Sequence, residues 1–340
     1  MQYRKLGRSG VSVSTLCLGT MMFGDRTSEA DSIEIVAACR DAGINFIDTA
    51  DVYSTGESER ITGRAIAADR HRWVLATKVA NPMGTDPNER GLSRRWLARA
   101  IDASLARLGT DHVDVWYLHK EDHDTPLEET VAGVADAIRA GKVRYLGVSN
   151  HRAWRIAEIV ALCRDAGIPP PALCQPYYNA FNRMPEVEVL PCCGRYGIGV
   201  APYSPIARGV LAGKYRPGEA PPEGSRAARG DRRIMQTEWR EESLLLAQRV
   251  ADHARARGMT PTQFAVAWVL NNRLVTSAIV GPRTLEQMRE YLDGVDVAFK
   301  AEDEALIDGM VSPGHPSTPG YNDPAYPLEG RVPIAGRAPG

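Results

Sequence analysis

The sequence predicts one closed parallel (β/α)8 barrel, an α/β protein of the TIM-barrel class with its active site at the C-terminal face. Two observations carry that expectation. Short apolar runs alternate strictly with longer stretches of helical periodicity, which demands parallel strands joined by helical crossovers. About eight such units fit into the 340 residues, and eight units at this length close a barrel. Length alone, at roughly 150 residues per domain, would allow two domains, but a single barrel absorbs it. A doubly wound open sheet is the rival architecture.

The elements follow in order. Val13–Gly19 is the first strand. Ser28 with Asp31 opens a helix, Ile33, Val36 and Ala37 line one face, and Gly43 ends it. Asn45–Asp48 is a short strand, Glu57–Ala68 a helix and Trp73–Val79 a strand. Ser93 caps a helix striped by Leu97, Ile101, Leu105 and Leu108 and stopped by Gly109. His112–His119 is a strand. Thr125-Pro126-Leu127-Glu128 combines a capping box with proline at the first helical position, and Gly141 stops that helix. Strands at Val143–Val148, Leu173–Pro176, Ile198–Ala201 and Ser277–Gly281 alternate with helices at His151–Asp165, Val187–Tyr196, Glu241–Arg257, Thr262–Asn271 and Thr284–Leu292. Two segments break the rhythm: a Gly/Pro/Arg-rich loop over Gly213–Trp239, and a Pro/Gly-rich tail, 312–340, beyond a barrel of residues 1–311. A loop this long is either functional or disordered; the tail reads equally as a loose terminus or as a flap over the barrel mouth.

Composition narrows the function. Forty-one basic residues against 42 acidic ones leave a net charge of −1, without the basic excess of a nucleic-acid binder. No run approaches the roughly 18 apolar residues of a membrane span, and Met1 to Gly10 is polar, without a signal-peptide core. Six cysteines with no C-x-x-C and no zinc spacing read as buried thiols of a reducing cytoplasm. There is no G-x-G-x-x-G, and Gly209–Lys214 falls one spacer short of a P-loop. No metal site is expected.

In a parallel barrel the strand ends carry the chemistry. They read Asp48 with Tyr53 in the following loop, Lys78, His119, Ser149-Asn150, Gln175, Tyr203-Ser204 and Gly281-Pro282-Arg283. Taken singly, each has an ordinary explanation. A strand-end acid or lysine is usually solvated, His119 suits a hydrogen-bonded core position, and Asn150 and Thr284 suit helix N-caps, with Gln287 completing a box. Taken together, an acid, a phenol, an ammonium and an imidazole project to one face. A phenol titrates near 10 in water; an adjacent ammonium is expected to lower that value. A buried lysine needs a partner, and Asp48 can be that partner. Such a set delivers a proton to a carbonyl oxygen, with His119 orienting that oxygen, while a hydride donor attacks the carbon.

These residues resemble the aldo-keto reductases, closest in style to the microbial and potassium-channel β-subunit-like branch. The resemblance is carried by Asn45–Tyr53, Leu75–Lys78, Asp114–His119, Gly141–Asn150, Pro202–Pro205 and Leu211–Tyr215, and it covers the chain to about Val311. It implies NADPH-dependent reduction of a small aldehyde or ketone, with NADH an alternative cofactor, and a catalytic tetrad of Asp48, Tyr53, Lys78 and His119. It also implies that Ser149, Asn150 and Gln175 hold the nicotinamide carboxamide and that Tyr203 stacks on the ring. Gly19, Thr20 and Met21 would lie beside the cofactor. Ser204, Pro205, Ile206, Arg208 and Lys214 would line the pyrophosphate, under a belt formed by the 213–239 loop. Gly281, Arg283, Gln287 and Glu290 would surround the adenosine, with Arg283 on a 2′-phosphate. Tyr291 departs from the family's usual asparagine. The channel-associated relatives imply a second reading, a cofactor-binding regulatory subunit; there an amide residue stands where this chain has His119. Substrate choice is expected in Met22-Phe23, Asn81–Leu92, Tyr177-Tyr178, the region of Trp239, and Tyr321 and Tyr326.

Overall fold

The structure, a computed structural model, describes residues 1–327; the remainder of the predicted tail, 328–340, lies outside the described residues. An antiparallel hairpin, β1 (Tyr3–Lys5) and β2 (Ser12–Ser14), precedes eight parallel strands. These are β3 (Leu16–Gly19), β4 (Phe46–Asp48), β5 (Val74–Val79), β6 (Val113–Leu118), β7 (Val143–Ser149), β8 (Leu173–Gln175), β9 (Gly199–Val200) and β10 (Ala278–Val280). Each pairs with its sequence neighbour, and β10 pairs with β3. The ring closes between β9 and β10. Thr276 N–H donates to Val200 O at 2.7 Å, Ile279 N–H to Pro202 O at 3.0 Å, and Tyr203 bridges Ile279 in parallel. This is the (β/α)8 barrel that the sequence predicts.

Helices cover the strands: α1 (Glu29–Asp41), α2 (Glu57–Ile66), α3 (Arg94–Leu108), α4 (Leu127–Arg139), α5 (Ala153–Asp165), α6 (Val189–Tyr196), α7 (Arg232–Thr237), α8 (Glu241–Ala256), α9 (Pro261–Asn271), α10 (Leu285–Asp293) and α11 (Ala301–Asp308). Short α7 interrupts the long loop, and α11 precedes the tail. Neither follows from the strand–helix alternation.

Three local expectations change. The first predicted strand is two, because the chain turns at Thr15 and Ser14 Oγ donates to Leu16 O at 2.6 Å. Its first half joins the hairpin, and Val13 and Leu6 pack with the interior residues Phe46, Val115 and Leu173. Thr125 does not cap α4: its hydroxyl donates to Asp122 at 2.7 Å, and Pro126 holds the cap position. Asn150 does not cap α5 either. It sits at φ +55° and turns its side chain into the barrel mouth, donating to His119 O at 2.9 Å. Asparagine tolerates that left-handed backbone better than most residues.

Strand periodicity positions the site. Side chains two apart share a face, so Phe46 and Asp48, Ala76 and Lys78, Val115 and Tyr117, and Leu173 and Gln175 all belong to the interior set. Phe46, Ala76, Val115, Tyr117 and Leu173 form one inner cluster. The alternate residues Ile47, Leu75, Trp116 and Leu118 face the helices in the larger outer cluster. Each fully buried aliphatic or aromatic side chain contributes about 1.5–3 kcal/mol. That outer layer anchors the strand ends on which the polar groups stand.

Candidate active site

At the C-terminal ends of the strands lies a cavity of about 300 Å³. Its inner end is set by β4, β5 and β6. Asp48 and Lys78 are buried and ion-paired. Lys78 Nζ also donates to Thr49 O at 2.7 Å and to the Tyr53 hydroxyl at 3.3 Å, and stands 4.8 Å from the centre of that ring. The second Asp48 oxygen accepts from Gln175 Nε2 at 2.9 Å. Register explains the meeting. Asp48 is level with Ala76 and Lys78 is level with Tyr117, so the lysine stands one inward position above the acid's neighbour.

Burial dominates the electrostatics. It lifts the Asp48 carboxyl, which Lys78 and Gln175 pull back only in part. Burial would depress Lys78, yet attraction to Asp48 and Tyr53 outweighs it and holds the ammonium above its ordinary value. For Tyr53 the expected lowering is overturned. Burial raises the phenol, Lys78 opposes that rise without cancelling it, and Asp48 adds to it. The phenol is therefore protonated at neutral pH, the state a proton donor requires. His119 falls well below the usual imidazole range through burial and the Lys78 and Lys120 charges, so it is neutral.

Asn81, whose part no motif announced, sets the His119 tautomer. Its Nδ2 lies 3.0 Å from Nδ1 of His119. An amide nitrogen only donates, so Nδ1 accepts and the proton resides on Nε2. The His119 and Tyr53 rings meet edge to face at 6.1 Å.

The tetrad residues Asp48, Tyr53 and His119 line the cavity, with Lys78 behind them. Of the other expected residues, Gly19, Met21, Ser149, Asn150, Gln175, Tyr203, Ser204, Pro205, Ile206, Arg208 and Lys214 line it too. So do Gly281, Arg283, Gln287, Glu290 and Tyr291. Thr20 does not. Its hydroxyl is buried against Ser58 at 2.8 Å and Asp48 O at 3.2 Å, where it braces the β3 end. Ser149 Oγ donates to Gln175 O at 2.8 Å, and Tyr203 OH donates to Asn150 Oδ1 at 2.9 Å. Phe23 and Tyr178 are core residues, so packing explains them.

The outer end is built from loops. Ser204, Ala207 and Arg208 all have φ between +49° and +58°, costly for non-glycine residues and typical of ligand clamps. Arg226, which only the basic character of the long loop foreshadows, joins Lys214 and Arg283. Burial and the neighbouring Arg283, Arg226 and Arg229 charges depress Lys214. Among the described residues none of Lys214, Arg226 and Arg283 has an ion-pair partner. A concave site with uncompensated cations fits a polyanionic ligand.

The tail completes the mouth. Ser317 N–H donates to Phe181 O at 2.9 Å, and Arg240 stacks over Tyr321 at 3.8 Å. Arg233 of α7 holds Asp323 through two bonds of 3.1 and 2.5 Å, which seats Tyr326 in the cavity wall.

A sequence model of the Aldo/keto reductase family matches residues 15–312. The chain belongs to that family. It is 36% identical over 314 residues to a Bacillus subtilis protein described as the uncharacterized oxidoreductase YrpG, covering 89% of this chain and 93% of that one. It is 37% identical over 302 residues to a probable voltage-gated potassium channel subunit beta of Arabidopsis thaliana, covering 87% and 92%. It is 33% identical over 329 residues to the L-glyceraldehyde 3-phosphate reductase of Escherichia coli O157:H7, covering 92% and 93%. As an aldo/keto reductase with oxidoreductase relatives, this protein is an oxidoreductase.

Proposed function

We propose that this aldo/keto reductase reduces a small aldehyde or ketone to an alcohol with NADPH. The observation that carries the reading is the buried Asp48–Lys78–Tyr53 chain, which opens with neutral His119 at one end of a cavity whose other end is cationic. A reduced nicotinamide held between those ends would supply the hydride. His119 donates a hydrogen bond from Nε2 to the carbonyl oxygen and orients it. Tyr53 gives that oxygen its proton, and Lys78, kept charged by Asp48, stabilises the phenolate left behind. Ser149, Asn150 and Gln175 would hold its carboxamide, with Tyr203 beside the ring. Lys214, Arg226 and Arg283 would take its phosphates, and a 2′-phosphate beside Arg283 and Arg226 would favour NADPH over NADH. The free thiols fit a reducing cytoplasm, and no helix among the described residues is long and apolar enough to cross a membrane.

The decisive test is Tyr53→Phe. Turnover of a panel of aldehydes, followed by NADPH oxidation, should fall roughly 10²–10⁴-fold while NADPH binding, read by fluorescence, holds. Near-native turnover would overturn the mechanism. The Arabidopsis relative supports a second reading, a cofactor-binding regulatory subunit. That reading expects NADPH binding without turnover in the unaltered protein. The presence of His119 argues for the enzyme.

A further inference from the structure

Behind the tetrad lies a second polar cluster that the proposed chemistry leaves unused. Asp51, two residues before Tyr53, is 1% exposed. Neither carboxyl oxygen has a hydrogen-bond partner of good geometry among the described residues. Glu59, on α2, is fully buried beside it. Thr77 Oγ1 and Arg107 Nε each donate to Glu59 at 2.6 Å. Arg107 reaches in from α3 across Gly56, where a Cβ would meet the arginine at 2.6 Å. α2 packs close to α3 at Gly63, whose added Cβ would lie 2.1 Å from Leu108 O. The cluster is therefore closely packed between α2 and α3.

The titratable groups facing Asp51 come from each packed element: Glu59 from α2, Arg107 from α3, Lys78 from β5, and Tyr53 from the turn that follows it. Arg107, Lys78 and the Val52 amide favour the anion. Burial and the Glu59 carboxylate outweigh them and push the Asp51 carboxyl up to about 7.

We propose that Asp51 is a positioning residue that governs proton donation by Tyr53. Protonated, it leaves Asp48 as the one anion balancing Lys78. Ionised, with its proton lost to solvent, it sets a second negative charge beside the phenol, which disfavours the phenolate and weakens Tyr53 as an acid. The proposal rests on the reductase reading above.

The test is the pH profile of kcat for carbonyl reduction, where single-turnover rates report the chemical step. The unaltered protein should lose roughly three- to tenfold in rate as pH rises through about 7. Asp51→Asn should retain the low-pH rate and lack that limb. Glu59→Gln should move the limb to lower pH, because removing a neighbouring negative charge makes Asp51 easier to ionise. A merely structural Asp51 would lower the rate at every pH and leave the limb in place; that result overturns the proposal. A readout independent of turnover is the infrared carboxylic-acid band, followed in a Glu238→Gln background because Glu238 is also pushed up to about 7. The band should vanish between about pH 6 and 8 and do so at lower pH when Glu59→Gln is added. No such band at pH 6 also overturns the proposal. Absence of turnover alongside a normally titrating band would instead sink the reductase reading.

Discussion

The two ends of the cavity are made differently. At the inner end the polar groups facing the cavity are partnered: Lys78 touches Asp48, Asp48 is bonded to Gln175, and neutral His119 is held by Asn81. The groups stand on strands whose outer faces are locked in the core. At the outer end Lys214, Arg226 and Arg283 face one another with no ion-pair partner among the described residues, on loops tied together by single contacts such as Arg283 to Gly224 O at 3.1 Å. The contrast teaches that, under the proposed function, the inner end would be pre-organised to stabilise a charge made during reaction, whereas the outer end stores repulsion that an incoming polyanion would relieve.

The strongest way to break the comparison is Lys78→Met. It leaves Asp48 buried without its cation, and breaking a buried pair from one side costs about 3–5 kcal/mol. Thermal or urea unfolding should show that loss, and turnover should fall at least as far as in Tyr53→Phe.

A second measurement probes the inner wall through pH. His151 is 4% exposed, with Nδ1 bonded to Ser149 O at 2.8 Å and Nε2 unpartnered. Burial pushes its pKa down to about 4, against about 6.5 unfolded. The depressed folded value means stability is complete above pH 6.5 and is lost as pH falls towards 4, by roughly 3 kcal/mol. His151→Gln should flatten that part of the stability curve.

The outer end responds in affinity. Arg226→Ala should weaken NADPH binding about 10- to 100-fold, the loss of one charge-assisted contact, with kcat nearly intact. Raising salt should weaken NADPH binding while leaving the buried Asp48–Lys78 pair unaffected. Equal affinities for NADPH and NADH in the unaltered protein would remove the 2′-phosphate role of this end.

The smallest effect is expected at the tail. Asp323→Asn releases one of the partly buried bonds that seat Tyr326, so KM for the carbonyl substrate should rise about two- to fivefold, roughly 1 kcal/mol or less. An unchanged KM across a substrate panel would separate the tail from the mouth.

The chain's own order determined the barrel and the inner end. Strict strand–helix alternation allows few folds, and a two-residue period sends Asp48, Lys78 and Gln175 inward once their strands are identified. Their meeting at the barrel mouth was legible because each closes a recognisable strand and because the motifs around them resemble a known family.

Tertiary structure decided the rest. Whether burial or Lys78 controls the Tyr53 phenol depends on how completely the barrel mouth excludes water, and burial wins. Thr20 left its expected place beside the cavity, and Asn150 entered the cavity rather than capping a helix, because backbone turns, not residue types, aim short polar side chains. Arg226, Asp51 and Tyr326 meet the site from a loop, a turn and a tail whose paths follow no period. Local pattern specifies direction only while the backbone repeats; beyond the strand ends, it is long-range packing that chooses which charges meet.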